Sequence, residues 1–176
     1  MEKSLNGQIL SVHNGLVGVF KSVKAPTLEV YALPAARSDL VTLHSYPAGS
    51  DTVLALIGEN DLLNLSTVED PNARGLRPNS TIDWSFSMSR RAPPVAEGRP
   101  DTSNRLLYTG RSGNWVTLPS GPNGQDYVVK FKGGTCPIPR SLFMTISLNQ
   151  MLTNVTGDSY SISVDLPAQI VYERIE

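Results

Sequence analysis

The chain has 176 residues with 15 basic and 16 acidic side chains, and a net charge of −1 does not attract phosphate backbones or anionic membranes. Its one cysteine, Cys136, excludes an intrachain disulfide and a cysteine-based zinc site. No segment reaches the roughly 18–20 apolar residues of a membrane-spanning helix. We therefore expect one domain over residues 1–176, with neither specific nucleic-acid binding nor membrane association.

The predicted elements are short strands joined by turns. Asn14-Gly15 separates the apolar segments 8–13 and 16–20, and this dipeptide is the strongest short-range indication of a hairpin. Turn residues bound the later strands in the same way. Further strands are predicted at 27–33, 40–46, 52–57, 81–89, 105–109, 114–118, 126–132, 142–148 and 160–166.

Residues 60–65 are predicted to form a single helical turn. Asn60 is a favourable N-cap residue, and Leu62 and Leu65 would share one face of such a turn. Pro167 is expected to mark a bend or an edge of the last strand, because proline cannot donate a ladder hydrogen bond.

Segments 82–88, 142–148 and 160–166 alternate apolar and polar residues, which is typical of strands with one buried face. Only Phe143 breaks the polarity of the outward positions, and it suggests contact with a partner. The fold class is therefore all-β, a single antiparallel β-sandwich or jelly roll of about ten strands. One continuous core is predicted from Ile82, Trp84, Phe86, Met88, Leu142, Met144, Ile146, Leu148, Tyr160, Ile162, Val164 and Leu166.

Two long loops, 69–79 and 91–104, are the predicted contact regions, since long structureless connections in compact domains tend to be functional. Residues 74–111 hold seven arginines against three carboxylates, a net charge of +4, whereas residues 1–73 hold four basic and eight acidic residues, a net charge of −4. Such complementary charge can set the register between neighbouring copies. The candidate assembly contacts are Arg74, Arg77, Arg90, Arg91, Arg99 and Phe143.

No constellation of residues indicates an enzyme or a cofactor. A nucleophilic cysteine needs an adjacent base, so Cys136 would have to lie beside His13 or His44. Nothing in the sequence brings these residues together. The two histidines carry no accompanying carboxylate pattern for a metal site. We therefore predict no catalytic, cofactor-binding or metal-binding residues.

This combination of β-strands, loops and missing chemistry resembles the small jelly-roll or sandwich coat and decoration proteins of virions. The resemblance implies a non-enzymatic coat, decoration or tail component, made in a host cytoplasm and self-associating through loops and strand edges. The first twelve residues and the strand from Tyr160 are also similar to fimbrial pilin subunits, which would imply assembly by strand donation at a cell surface. A third interpretation is a carbohydrate-binding module that uses Trp115, Tyr46 or Tyr108 on an exposed surface.

Overall fold

The protein was analysed as a computed structural model, which describes residues 5, 8–37, 39–45, 52–72, 81–90, 104–121, 124–134, 143–151 and 159–165. These residues form strands, turns and bends without a helix, which confirms the all-β prediction. The strands in chain order are β1 (Gln8–Ile9), β2 (Ser11–His13), β3 (Leu16–Val19), β4 (Glu29–Pro34), β5 (Val41–Ser45), β6 (Val53–Glu59), β7 (Leu62–Val68), β8 (Thr81–Asp83), β9 (Ser87–Arg90), β10 (Asn104–Leu107), β11 (Gly113–Ser120), β12 (Asp126–Gly133), β13 (Phe143–Met151) and β14 (Ser159–Asp165).

The strands pair in a ladder that returns to its starting point. From β14 the pairing runs through β4, β5, β6, β7, β12, β11 and β13 and back to β14, and each of these pairings is antiparallel. The remaining strands attach to this ring, with β1 on β14, β3 on β7 and β12, β2 on β3, β8 on β6, and β9 on β13 through β10. The predicted sandwich is thus an antiparallel sandwich that closes on itself through hydrogen bonds.

Apolar side chains fill the space inside the ladder, and several leucines there are fully buried. Trp115 is 6% exposed, and its ring lies 6.4 Å from that of Phe86 and 5.4 Å from that of Phe131. Its indole Nε1 donates a hydrogen bond to the Leu106 carbonyl oxygen at 3.0 Å, which satisfies the one polar atom of the ring. Tyr108 completes this aromatic cluster at 4.8 Å from Phe131.

The first hairpin has the predicted geometry. Asn14 and Gly15 have φ angles of 50° and 75°, and His13 pairs with Leu16 across them. Two successive residues with positive φ are the requirement of a type I′ turn, which matches the twist of the flanking strands.

The helical turn predicted at 60–65 is wrong. Glu59 pairs with Leu62 across a two-residue connection, and β7 begins directly at Leu62. Asn60 has a φ of 56°, the left-handed conformation that asparagine adopts more readily than most residues. Asn60 therefore occupies the turn of a hairpin, whereas the prediction placed it at the N-terminus of a helical turn.

The predicted strand at 81–89 is interrupted at its centre. The amide of Ser85 donates to Asp83 Oδ1 at 3.1 Å, an Asx-type turn that ends β8 before β9 begins. Phe86 and Met88 contact the main core, but Ile82 and Trp84 pack on the other face of β6 in a second cluster with Ala55, Ile57 and Val68. The single continuous core predicted for this strand is therefore wrong for Ile82 and Trp84.

The two C-terminal alternating segments form a long antiparallel pair. β13 and β14 are in register from Thr145 opposite Asp165 to Met151 opposite Ser159. The apolar residues of these two strands were predicted to be buried, but their side chains lie outside the described part of the structure. Leu142, Leu166 and Pro167 lie wholly outside the described residues.

The two tryptophans should differ in their contribution to stability. Trp115→Ala is expected to lower the free energy of unfolding by about 3–5 kcal/mol, because it removes a buried ring from the aromatic cluster. Trp84→Ala should cost about 1–2 kcal/mol, since that ring is only partly removed from water. Urea denaturation of both variants measures the difference, and equal losses would contradict this assignment of the two rings.

Candidate functional site

The structure locates two of the six predicted assembly contacts. Arg90 is the last residue of β9, and Phe143 is the first residue of β13, opposite Val116 of β11. The side chains of both lie outside the described part of the structure. The other four candidates, Arg74, Arg77, Arg91 and Arg99, fall entirely outside the described residues.

Strand β9 has an edge that no other described strand covers. On one side it pairs with β10 along its whole length. On the other side, Phe86, just before β9, exchanges both backbone hydrogen bonds with Val41, at 2.9 and 2.7 Å. Because backbone groups alternate between the two edges of a strand, Met88 and Arg90 direct their N–H and C=O groups to the side of Phe86, beyond Val41. We call this backbone edge of Met88 and Arg90 the β9 edge.

Exposed apolar surface lies on β10, the strand that pairs with the other side of β9. Leu107 of β10 is the partner of Ser87 and exposes 38% of its surface. The segment that contains β8 and β9 also connects the two long loops predicted to be contact regions. An unpaired strand edge next to exposed apolar surface is the kind of surface to which another chain can add.

A polar cluster fixes the chain just before β9. The Tyr108 hydroxyl donates to Asp83 Oδ2 at 2.8 Å, and burial followed by this hydrogen bond raises the pKa of the phenol. Arg111 donates from Nη1 to the Asn60 carbonyl at 3.1 Å and from Nη2 to Thr81 Oγ1 at 3.4 Å. The cluster connects β8, the β6–β7 turn and the β10–β11 connection, and its polar groups are hydrogen-bonded within these segments.

A second polar contact fixes the connection after β3. Asp126, at the start of β12, accepts hydrogen bonds from the backbone amides of Lys21 and Ser22 at 2.7 and 2.9 Å and from the Ser22 hydroxyl. The hydroxyl and amide of Ser22, and then the amide of Lys21, hold the pKa of this carboxyl below its usual value. This is a structural role that the sequence pattern did not indicate, because the partners are more than 100 positions apart.

The aromatic surface proposed for a carbohydrate is not formed by the predicted residues. Trp115 and Tyr108 are both buried in the aromatic cluster, and the Tyr108 hydroxyl is engaged by Asp83. Tyr46 lies outside the described residues. The carbohydrate-binding interpretation requires Trp115 and Tyr108 to be exposed, and the structure buries both; a period of two alone does not tell which face of a strand is covered.

The histidines have separate local partners. His13 Nε2 lies 3.2 Å from Asn14 Nδ2, and its ring is 5.4 Å from that of Phe20. His44 stacks on Tyr31 at 5.3 Å and contacts Thr42 Oγ1 at 3.0 Å, and burial lowers its pKa. In the part of the chain that the structure describes, no three histidine, cysteine or acidic side chains gather as metal ligands would, and Cys136 lies outside that part.

Comparison with known proteins gives no relative. No family model, curated protein or solved structure matches the chain. Within the described ranges, no helix has the length and apolar character to cross a bilayer.

Asp126→Asn is expected to destabilise the protein in a pH-dependent manner. A carboxyl whose native pKa is lowered adds stability that is complete above its unfolded pKa of about 3.9 and is lost as pH falls through the lower native value. The stability difference between the parent and the variant should thus be constant from about pH 5 to pH 7 and shrink below about pH 4.

Thermal denaturation across this pH range checks the expectation. Asp39→Asn is the matched control, because Asp39 is exposed and pairs only with the equally exposed Arg37 at 3.2 Å among the contacts described. If Asp39→Asn lowers the stability as much as Asp126→Asn does between pH 5 and pH 7, the role assigned to Asp126 is refuted.

Proposed function

We propose that the chain is a non-enzymatic structural subunit of a virion, which self-associates through the β9 edge and the loops on either side of it. The observation that carries the proposal is the β9 edge, which no other described strand pairs and which lies outside the closed ring of eight strands. A closed ladder satisfies its own backbone groups and leaves few places where another chain can add.

The β9 edge can form a directional contact. Met88 and Arg90 each offer a backbone N–H and a C=O group on this side, and a further strand could pair with these groups. Leu107 adds exposed apolar area on the neighbouring strand β10. Backbone pairing would then supply geometry, while the neighbouring side chains and loops would select the partner.

The charge distribution supports contact between copies of the same chain. The arginines of residues 74–111 flank or belong to the segment with the β9 edge, whereas residues 1–73 carry the excess of carboxylates. Arginine suits such contacts because its planar guanidinium can bind a carboxylate through two hydrogen bonds. Arg90 is the candidate that joins the two features, since it belongs to both the arginine set and the edge.

The fimbrial alternative receives less support from this architecture. A pilin subunit needs a place in its sandwich for a strand from its neighbour. Here the eight strands of the ring are already paired to one another among the described residues. The carbohydrate-binding alternative required three exposed aromatic residues, and two of them, Trp115 and Tyr108, are buried in the core.

Self-association can be tested at Arg90 itself. Proline at this position removes the outward amide donor without removing a ladder bond to β10, and an edge strand tolerates it. Arg90→Pro is expected to shift the protein to a monomer at concentrations at which the parent forms oligomers. Size-exclusion chromatography with light scattering gives the mass, and electron microscopy of the concentrated parent protein shows whether the assemblies are shells or tubes.

Two matched variants separate the backbone edge from the charge. Arg90→Ala keeps the amide and loses the guanidinium, so it reports on charge pairing alone. Arg37→Ala removes an exposed arginine outside the arginine-rich segment and should leave the mass unchanged. A parent protein that stays monomeric up to millimolar concentration would refute the proposed function.

A further inference from the structure

A small cavity lies on the outer face of β3, β6 and β7. Its volume is about 180 Å³, and it opens to solvent. The Asn14-Gly15 turn forms one wall, held by a hydrogen bond of 2.8 Å from the Thr67 amide to the Gly15 carbonyl. The lining residues are Asn14, Gly15, Leu16, Ile57, Asn64, Ser66, Thr67 and Val68.

The strand register brings these residues together. Asn64 and Ser66 are alternate residues of β7 and therefore share a face. Ile57 of β6 pairs with Asn64, and Leu16 of β3 pairs with Ser66. Apolar side chains thus flank the polar residues Asn64 and Ser66 on β7, and the apolar Val68 follows them on the same face at the end of the strand.

Ser66 is the feature that points to a ligand. It is 8% exposed, and its hydroxyl has no hydrogen-bond partner in the described structure although it lines the cavity. A buried hydroxyl without a partner destabilises the fold, unless something in the cavity supplies the missing bond. The Asn64 side chain, next on the same face, is likewise without a partner in the described structure.

We propose that this cavity binds one neutral pyranose residue of a glycan. None of the described lining residues is charged, which favours an uncharged ligand. The Asn14, Asn64 and Ser66 side chains can both donate and accept hydrogen bonds, which is what sugar hydroxyls require. Leu16, Ile57 and Val68 offer apolar contact to the C–H groups of a ring.

The size and opening of the cavity fit the same ligand class. Sites for drug-sized molecules usually occupy about 300–1,000 Å³, and the present cavity is smaller, as a single sugar ring requires. Its open side would let the rest of a glycan extend into solvent. Two of the lining residues, Ile57 and Val68, belong to the second apolar cluster, so the apolar side of the cavity is part of a packed surface.

This inference goes beyond the proposed assembly function and does not rest on it. It also differs from the carbohydrate-binding interpretation of the sequence, which used Trp115 and Tyr108. None of the cavity's described lining residues belongs to β9 or β10. Loss of self-association and loss of sugar binding are therefore separate results.

Saturation-transfer difference NMR on the full chain tests the proposal. The probes are the methyl glycosides of glucose, galactose, mannose and N-acetylglucosamine, each at 1:100 protein to ligand and millimolar concentration. At least one glycoside is expected to show a saturation-transfer signal. That signal should fall when an oligosaccharide of the same sugar is added in excess. Absence of transfer to all four would overturn the proposal.

Two substitutions locate the binding. Ser66→Ala and Asn64→Ala should each weaken the bound sugar by about 5- to 10-fold, the effect of one hydrogen bond. Ser66→Ala should also leave the melting temperature unchanged or higher, because it removes a buried hydroxyl without a partner. Opposite signs for affinity and stability distinguish a binding residue from a structural one.

Thr117 and Asn114 on β11 provide the matched controls. Thr117 is also a buried hydroxyl residue, 4% exposed, but it does not line the cavity, and Asn114 is an exposed strand asparagine. Thr117→Val and Asn114→Ala should leave sugar binding unchanged. If Ser66→Ala changes the oligomeric mass and not the sugar affinity, the cavity receives a neighbouring subunit or water, and the proposal is wrong.

Discussion

The hydrogen-bonded closure of the antiparallel ladder is the constraint on which the other features of the structure depend. A buried strand must pair its backbone groups on both edges, because an unpaired N–H or C=O group away from water is costly. The ring from β14 through β4, β6, β12 and β13 back to β14 meets that requirement for its strands. The core can then be largely apolar, with several of its leucines fully excluded from solvent.

Closure also requires the chain to cross between distant strands, and polar side chains fix those crossings. Asp126 holds the connection after β3 through two amides and a hydroxyl. Asp83 turns the chain between β8 and β9 and accepts the Tyr108 hydroxyl. In both places a carboxylate satisfies backbone or hydroxyl donors where the ladder cannot, which is the usual role of aspartate in turns.

Local signals in the sequence were sufficient for part of this fold. The Asn14-Gly15 hairpin depends on two adjacent φ angles, so the dipeptide alone predicts it correctly. Period-two alternation likewise predicts strands at β13 and β14. These features require no knowledge of what packs against them.

The errors arise where distant segments determine the outcome. Asn60 has the same local preferences in a helix cap and in a tight hairpin, and pairing between β6 and β7 selects the hairpin. Trp84 follows the apolar alternation, but the turn at Asp83 moves it to the outer face of β6. That strand is buried on both faces, which alternation within β8 cannot reveal. The outer-face cavity escapes sequence analysis for the same reason, since its walls come from three strands joined only by register.

The comparison of Ser66 with Thr117 shows why burial alone does not define a site. Both hydroxyls are buried and unpartnered among the described residues, so both carry the cost of a lost bond to water. Thr117 has a methyl group that can pack against its apolar neighbours on β11 and β12, and it lines no part of the cavity. Ser66 has no such methyl group and stands beside open space with an amide next to it on the same face. Of these two described hydroxyls, only that of Ser66 combines an unmet hydrogen-bonding group with room for a ligand, and this coincidence is why we propose a hydroxylated ligand there.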